Sequence, residues 1–389
     1  MKKKKLKKSA IFFFLFLVLI GGGILFYFNK DYLLKEKVIL KKEIQPVKEH
    51  ISYGVFHDTY QEAKDKVKEM SLEEKIGQLF LVRYSRYAVD ENNGYYPGGY
   101  ILFARDFQGH SKESMKKEID YVQEISKYPL IIGVDEEGGT VVRVSQYFRY
   151  DSFESPKYYY DQGGFELLEE RENEKAELLK SIGINLNLAP VADLPTSEWD
   201  FMYRRSFGTD VDLTSEYIHN MVTYSKNNGI NSCLKHFPGY GNNVDTHTSV
   251  AIDERNYQNF LDRDYKPFES GIVAGVPCVL ISHNIVSSID SSYPSSLSQK
   301  VVLELRDRLG FTGIAITDDL AMDAVSQYVS DGNAATMAVN AGNDMIITSD
   351  FISMYYELLK SVQNGVVKEE RINDAATKVL ALKYYSGLF

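Results

Sequence analysis

Beyond residue 70 the chain alternates between short apolar runs and longer amphipathic stretches. The apolar runs fall at 78–82, 100–103, 130–135, 185–190, 232–237, 277–283, 313–318 and 344–348. Most are nearly unbroken rather than alternating, the pattern of parallel strands covered on both faces. Helix-period stretches separate most of them, at 111–127, 165–182, 212–228, 256–274, 298–309 and 333–341; two more, 355–362 and 370–384, close the chain. Ser71-Leu72-Glu73-Glu74 is a capping box that opens a helix before the first strand. Ser111, followed by Glu113 in the first turn, starts another. Eight strands alternating with helices predict an α/β fold, a single (β/α)8 TIM-type barrel. The connection 83–99 has no convincing helical pattern, which predicts an irregular barrel between the first two strands. No internal repeat and no second domain after the barrel is visible.

The N-terminus reads differently. Lys2 to Lys8 is nearly all lysine, and residues 10–28 are then uncharged and almost wholly apolar. Nineteen residues at about 1.5 Å rise span about 28 Å, close to a hydrocarbon core. The lysines should stay in the cytoplasm and send the remaining chain outside. A cleavable signal peptide is the alternative, but the apolar run ends in Phe26, Tyr27 and Phe28 rather than in small residues. The expected organisation is a basic cytoplasmic segment, 1–9, a single transmembrane helix, 10–28, a charged stalk, 29–54, and the barrel, 55–389. The expected location is the cell membrane, single-pass, with the barrel extracellular.

The net charge of −10 hides this asymmetry, because the first thirty residues hold seven lysines and no acid. The barrel region is therefore more acidic than the total, which gives it no electrostatic reason to bind nucleic acid. Its two cysteines, Cys233 and Cys278, cannot form a disulfide framework. Both sit in apolar runs and read as buried thiols, with a single disulfide as the alternative.

In such barrels the chemistry lies at the C-terminal ends of the strands. Those ends hold Asp135, Glu136, Glu137, Asp193, Lys235, His236, His283, Asp318 and Asp319. In the loop after Lys235-His236, Asp245 and His247 stand two apart. In an extended stretch they face the same side, so Asp245 could fix the His247 tautomer and leave the other nitrogen for proton transfer. Asp318 and Asp319 follow an apolar run, and neighbouring strand residues point oppositely. One suits a rigidly aimed nucleophile; Asp319 reads better as a cap. His283 with His236 and an acid could bind a metal, but Lys235 would oppose a cation, and no metal or cofactor is expected. The tyrosine-rich stretches 84–96 and 147–160 read as loop packing, or as aromatic walls of an open cleft.

Eight motifs then stand in order: Glu74-Lys-Ile-Gly-Gln-Leu-Phe80, Gly99-Tyr-Ile-Leu-Phe103, Val134-Asp-Glu-Glu-Gly-Gly139, Arg205-Ser-Phe-Gly208, Lys235-His-Phe-Pro-Gly239, Asp245-Thr-His247, Ile316-Thr-Asp-Asp-Leu320 and Ala341-Gly-Asn-Asp-Met-Ile346. In these the sequence resembles glycoside hydrolase family 3, in its single-barrel β-N-acetylglucosaminidase (β-hexosaminidase) branch, over about 71–388. The resemblance implies a retaining glycosidase that removes terminal β-linked N-acetylglucosamine from cell-wall-type glycans or muropeptides. It makes Asp318 the nucleophile and His247, oriented by Asp245, the acid/base. It makes Asp135, Arg205, Lys235 and His236 substrate-binding residues, and Arg143 a further pocket candidate. Tyr240 departs from the pattern, where many members carry a second histidine; this implies altered loop packing and bears on leaving-group preference. A β-glycosidase or glycoside phosphorylase with another sugar preference is an alternative. So is an inactive surface glycan-binding protein, although that reading predicts a lost nucleophile or acid/base.

Overall fold

Each of the eight apolar runs forms a strand in the computed structural model, which describes residues 54–243, 251–322, 325, 328–329 and 333–389. The strands are β1 (Phe80–Arg83), β2 (Gly99–Leu102), β3 (Ile131–Val134), β4 (Leu186–Asn187), β5 (Asn231–Phe237), β6 (Cys278–Ile281), β7 (Ile314–Thr317) and β8 (Ile346–Thr348). All neighbours are parallel, in the order β8-β1-β2-β3-β4-β5-β6-β7. The two ends meet at a parallel bridge between Ile316 and Met345, where Met345 N donates to Ala315 O at 3.1 Å. The result is a nearly closed barrel of the TIM type. Residues of β2, β3, β6, β7 and β8 are buried throughout, as unbroken apolar runs require when helices cover one face and the barrel interior the other.

The helix signals hold with three revisions. Ser71 Oγ accepts from Glu74 N at 3.2 Å while Glu74 Oε2 accepts from Ser71 N at 2.9 Å, a complete capping box before β1. The helix expected at 165–182 instead runs Pro156–Ser181, with Ser155 as cap, proline in the first turn, and a kink at Gly163 and Gly164. Ser-Pro was a start signal, and the paired glycines bend the element rather than open it. The stretches 256–274 and 298–309 are not continuous α-helix: each contains a wider π turn, Phe260–Asp264 and Glu304–Arg308. Between β1 and β2 there is one five-residue helix, Val89–Asn93, so the irregularity expected there is a connection reduced to little more than a turn.

Further features lie outside the expectations, among them the helix Tyr60–Lys68. A short parallel pair, Ile252–Asp253 with Ile285–Val286, joins the loops after β5 and β6. At the opposite end of the barrel, fully buried Asp344 accepts from Arg371 Nη2 at 2.9 Å, Lys378 Nζ at 3.0 Å and Arg306. Burial would raise its carboxyl, but Lys378, Arg306 and Arg371 hold it well below the carboxylate range. This gives the Gly-Asn-Asp motif before β8 a structural role: it ties the last helix, Glu369–Tyr385, to the barrel floor. On that helix Lys383 is buried completely and donates to Gln78 Oε1 at 2.5 Å. Desolvation lowers its amine to about 7.

Cys233 and Cys278 are in register on β5 and β6 and are buried thiols. Burial pushes the Cys278 thiol well up, which makes it inert. The basic segment, the apolar run 10–28 and nearly all of the stalk lie outside the described residues, as do Asp245 and His247. Among the described residues no helix is long and apolar enough to cross a membrane.

Candidate active site

The C-terminal ends of β3 and β5 and the loop after β4 bring five charged side chains and one histidine together. Lys235 Nζ, on β5, lies 2.6 Å from Asp135 Oδ1 and 2.6 Å from Glu137 Oε1. Arg205 grips Glu137 with two bonds, Nε to Oε2 at 3.0 Å and Nη2 to Oε1 at 2.7 Å. Asp135 and Glu137 are two apart, and both meet Lys235. Burial alone would raise the Glu137 carboxyl, but Lys235 and Arg205 hold it down to about 2. Lys235, whose amine burial would lower, is instead raised by Asp135 and Glu137. Both shifts favour the charged forms of Glu137 and Lys235.

Exposure separates their roles. The side chains of Lys235 and Glu137 are each 3% exposed, whereas those of Asp135 and Arg205 are each 15% exposed. Asp135 and Arg205 form the accessible surface, and Glu137 sits behind them. Removing one partner from such a buried set typically costs about 3–5 kcal/mol, because the remaining charge is stranded. Behind Glu137 and Arg205 lies a recess walled partly by Tyr217, Ser225 and the buried Lys175–Glu172 pair, 2.9 Å apart.

His236 is held from both sides. Its Nδ1 is 2.7 Å from Asp193 Oδ2, and its Nε2 is 3.3 Å from Arg205 Nη2. A guanidinium has no acceptor, so Nε2 must accept and Nδ1–H donates to Asp193. That tautomer leaves His236 no proton to give at Nε2. Asp193 also accepts from the backbone of His236 at 3.1 Å and of Tyr240 at 2.8 Å. Tyr240 is buried edge-on against His236, with ring centroids 5.2 Å apart, and packs with Val191 and Met202. Along this stretch the Lys235–His236 and Phe237–Pro238 peptide bonds are cis.

Glu136 turns away from this cluster. Its carboxylate accepts from Arg143 N at 2.6 Å, Val144 N at 2.7 Å, Ser145 N at 3.2 Å and Ser145 Oγ at 2.5 Å. It organises the loop that carries Arg143. The Arg143 guanidinium lies 5.8 Å from the Phe103 ring, which Arg83 also covers at 4.5 Å. Arg143 Nε is buried with no partner among the described residues.

The tip of β7 splits its two carboxylates between tasks. Asp319 Oδ1 accepts from Ala321 N at 2.9 Å and Ser349 N at 3.1 Å, and Oδ2 from Ser349 Oγ at 2.9 Å. It ties the turn after β7 to the end of β8, close to the capping role expected of it. Asp318 continues the barrel ladder, its N donating to Ile281 O at 3.0 Å, and its Oδ1 accepts from Asp319 N at 2.9 Å. His283 is committed to support: Nε2 donates to Asp319 O at 3.0 Å, so Nδ1 accepts from Ser296 Oγ at 2.7 Å. Both ring nitrogens are thus occupied by protein groups.

The structure therefore brings together Asp135, Arg205, Lys235 and His236, and sets Arg143, on the loop that follows Asp135 in sequence, near Phe103. Asp318 stands on a different strand of the same rim. Two network members have no role legible in the sequence: Glu137, a motif residue, which fixes Lys235 and Arg205, and Asp193, a strand-end acid, which fixes His236. Their position at strand ends was the available signal; their partners become visible only when the barrel closes.

A parallel barrel with a polar, charge-paired rim of this kind has the form of an enzyme active site at the C-terminal ends of the strands. Residues 71–382 match the glycosyl hydrolase family 3 N terminal domain, which is most of the chain. The chain belongs to glycosyl hydrolase family 3 and is a glycosidase. A β-hexosaminidase of Nitrosomonas eutropha is 31% identical over 272 residues, covering 68% of this chain and 77% of that one. One from Vibrio cholerae is 30% identical over 276 residues, covering 70% and 81%. The solved family 3 β-N-acetylglucosaminidase of Paenibacillus sp. str. FPU-7 is 27% identical with a TM-score of 0.77, covering 82% of this chain. This chain spans 63% of that longer protein. The β-N-acetylhexosaminidase of Beutenbergia cavernae is 26% identical with a TM-score of 0.72, covering 81% of this chain and 99% of that one.

Proposed function

We propose that this chain is a retaining β-N-acetylglucosaminidase that releases terminal β-linked N-acetylglucosamine from cell-wall-type glycans or muropeptides. The observation that supports it most is how the acids of the described rim are used. Glu137 is held at about 2 by Lys235 and Arg205, the opposite of what a general acid near neutral pH needs. Glu136 is consumed by three backbone N–H groups and a serine hydroxyl. Asp319 is consumed by the turn it closes. The usual second carboxylate of a retaining glycosidase has no candidate among these three. A histidine fills that role without a large shift.

In this reading Asp135, Arg205, Lys235, His236 and Arg143 hold the terminal sugar. Asp318 attacks its anomeric carbon while His247, as imidazolium, protonates the departing oxygen. Neutral His247, oriented by Asp245, then takes a proton from water. The water displaces Asp318, and two inversions give net retention. The apolar run 10–28 would carry the barrel on the outer side of the cell membrane.

The test is turnover of a chromogenic β-N-acetylglucosaminide, with and without inorganic phosphate. Release of free β-N-acetylglucosamine independent of phosphate is expected. A sugar phosphate as the only product would replace hydrolysis by phosphorolysis. No turnover of any β-glycoside would favour a glycan-binding role. Protease added to intact cells should digest the barrel, and protection from it would refute the outward-facing anchor.

A further inference from the structure

The segment 244–250 holds the proposed acid/base, and its two described flanks are fastened by one guanidinium. Before the segment, Arg255 Nη2 donates to Gly239 O at 3.1 Å. After it, Arg255 binds Asp253 through its backbone N at 2.9 Å, through Nε at 3.0 Å and through Nη2 at 2.7 Å. Nη1 reaches both oxygens of Asp264, at 2.9 and 3.0 Å. The Arg255 Cζ also lies 4.6 Å from the centre of the Phe260 ring. Asp253 and Asp264 side chains are 1% and 0% exposed, so the guanidinium is set in a rigid seat.

The chain on each side is shaped to this seat. Gly241 has φ +54, and a Cβ there would fall 2.3 Å from Arg255 Nη1. Gly239 has φ +117, and a Cβ there would fall 2.9 Å from Asp264 Oδ1. The Pro-Gly-Tyr-Gly run is thus glycine-bearing because its backbone lies directly on the Arg255–Asp264 pair. On the returning side, Ile285 N donates to Ala251 O at 2.8 Å and Ser287 N to Asp253 O at 2.9 Å, an edge supplied by the loop after β6. Tyr240, between the two glycines, gives its N–H to Asp193, the partner of His236. The root of the segment is therefore continuous with the sugar-holding network.

We infer that Arg255, seated by Asp253 and Asp264, is a positioning residue for proton transfer: it fixes both ends of the loop that carries the acid/base. A buried carboxylate–guanidinium–carboxylate set gains little net stability over apolar packing of the same volume. Its distinct contribution here is to hold Gly239 and Asp253 at a fixed separation. The inference rests on the reading of His247 as acid/base.

The experiment compares kcat/KM on two β-N-acetylglucosaminides, one with an acidic phenol as leaving group and one with an alkyl alcohol. Only the second departure needs a proton. Arg255→Ala should lower the alkyl-to-aryl ratio by about 10- to 100-fold, a milder copy of His247→Ala. Arg255→Lys should recover part of the ratio, since an ammonium reaches one carboxylate but cannot span both. Should Arg255→Ala fail to fold, the near-isosteric Asp264→Asn serves, with the same direction and a smaller change. An equal fall on both substrates, with a lowered melting temperature, would reduce Arg255 to a structural brace and overturn the inference. If His247→Ala itself showed no leaving-group dependence, the acid/base reading would fail instead, whatever Arg255 did.

Discussion

The barrel carries a buried ion cluster at each end, and the two are built oppositely. At the floor, one fully buried carboxylate, Asp344, is surrounded by Arg306, Arg371 and Lys378, whose side chains are 15–19% exposed. At the rim, Lys235 and Glu137 are the buried members, while Asp135 and Arg205 keep part of their surface open. The floor cluster converges its cations on one buried acid, and two of them, Arg371 and Lys378, also pair along the last helix with the half-buried Asp374. The rim cluster turns one acid and one guanidinium outward, already oriented by partners beneath them. Burial and shifted ionisation are common to both, so neither marks a functional site by itself. What distinguishes them is the end of the strands on which they sit and which members remain reachable.

The comparison predicts losses of different kinds. The largest belongs to the rim: Asp318→Asn should cut kcat by at least about a thousandfold, since an amide of equal size is a poor nucleophile. Its melting temperature should stay near that of the parent. Asp319→Asn should cost under about tenfold, because that side chain ties a turn. Equal losses at both positions would remove the division between them. At the floor, Asp344→Asn takes the buried anion from Arg306, Arg371 and Lys378, of which the last two keep Asp374, and should cost about 3 kcal/mol of stability, read from denaturant unfolding. The folded fraction should keep its kcat; a kcat loss without destabilisation would erase the contrast between the ends.

Glu137→Gln probes the rim from beneath. It should lower kcat/KM by about a hundredfold by loosening Lys235 and Arg205. Its effect on stability has a definite sign. Glu137 is depressed in the folded state from 4.5 to about 2, so its stabilisation is present above the unfolded value. That stabilisation is lost as pH falls from about 5 towards 2. The Gln variant should show a shallower acid decline over that window.

At Lys383 the expected effect falls on stability alone. Its folded amine titrates at about 7 against 10.5 unfolded, so the unfolded chain binds more protons between those values. Stability should therefore rise with pH from 7 to 10.5, and Lys383→Met should flatten that rise. Melting curves at pH 7 and pH 10 for both proteins check it.

The two ends were not equally legible in the sequence. All eight strands could be read because each is a short apolar run, and strand ends then pointed to the rim. Asp135, Lys235, His236 and Arg205 were reached through motifs. Glu137 and Asp193 were not assigned, because their partners Arg205 and His236 lie 68 and 43 residues away and meet them only through barrel closure. At the floor, Asp344 stands in the Ala341–Ile346 motif, but its role is not legible there, because it meets Arg306 and Arg371 across 38 and 27 residues. Helix starts were blurred where Gly163-Gly164 outweighed Ser155-Pro156, and the π turns leave no pattern distinct from an α-helix.

The central claim is that histidine carries the proton while Asp318 carries the sugar, and the kinetics of His247→Ala test it most directly. With an activated aryl β-N-acetylglucosaminide, leaving-group release should show a burst as the glycosyl-enzyme accumulates on Asp318. Azide should then accelerate turnover and yield the β-glycosyl azide. A variant that slows aryl and alkyl substrates equally, with no burst, no azide rescue and no β-adduct, would contradict the account.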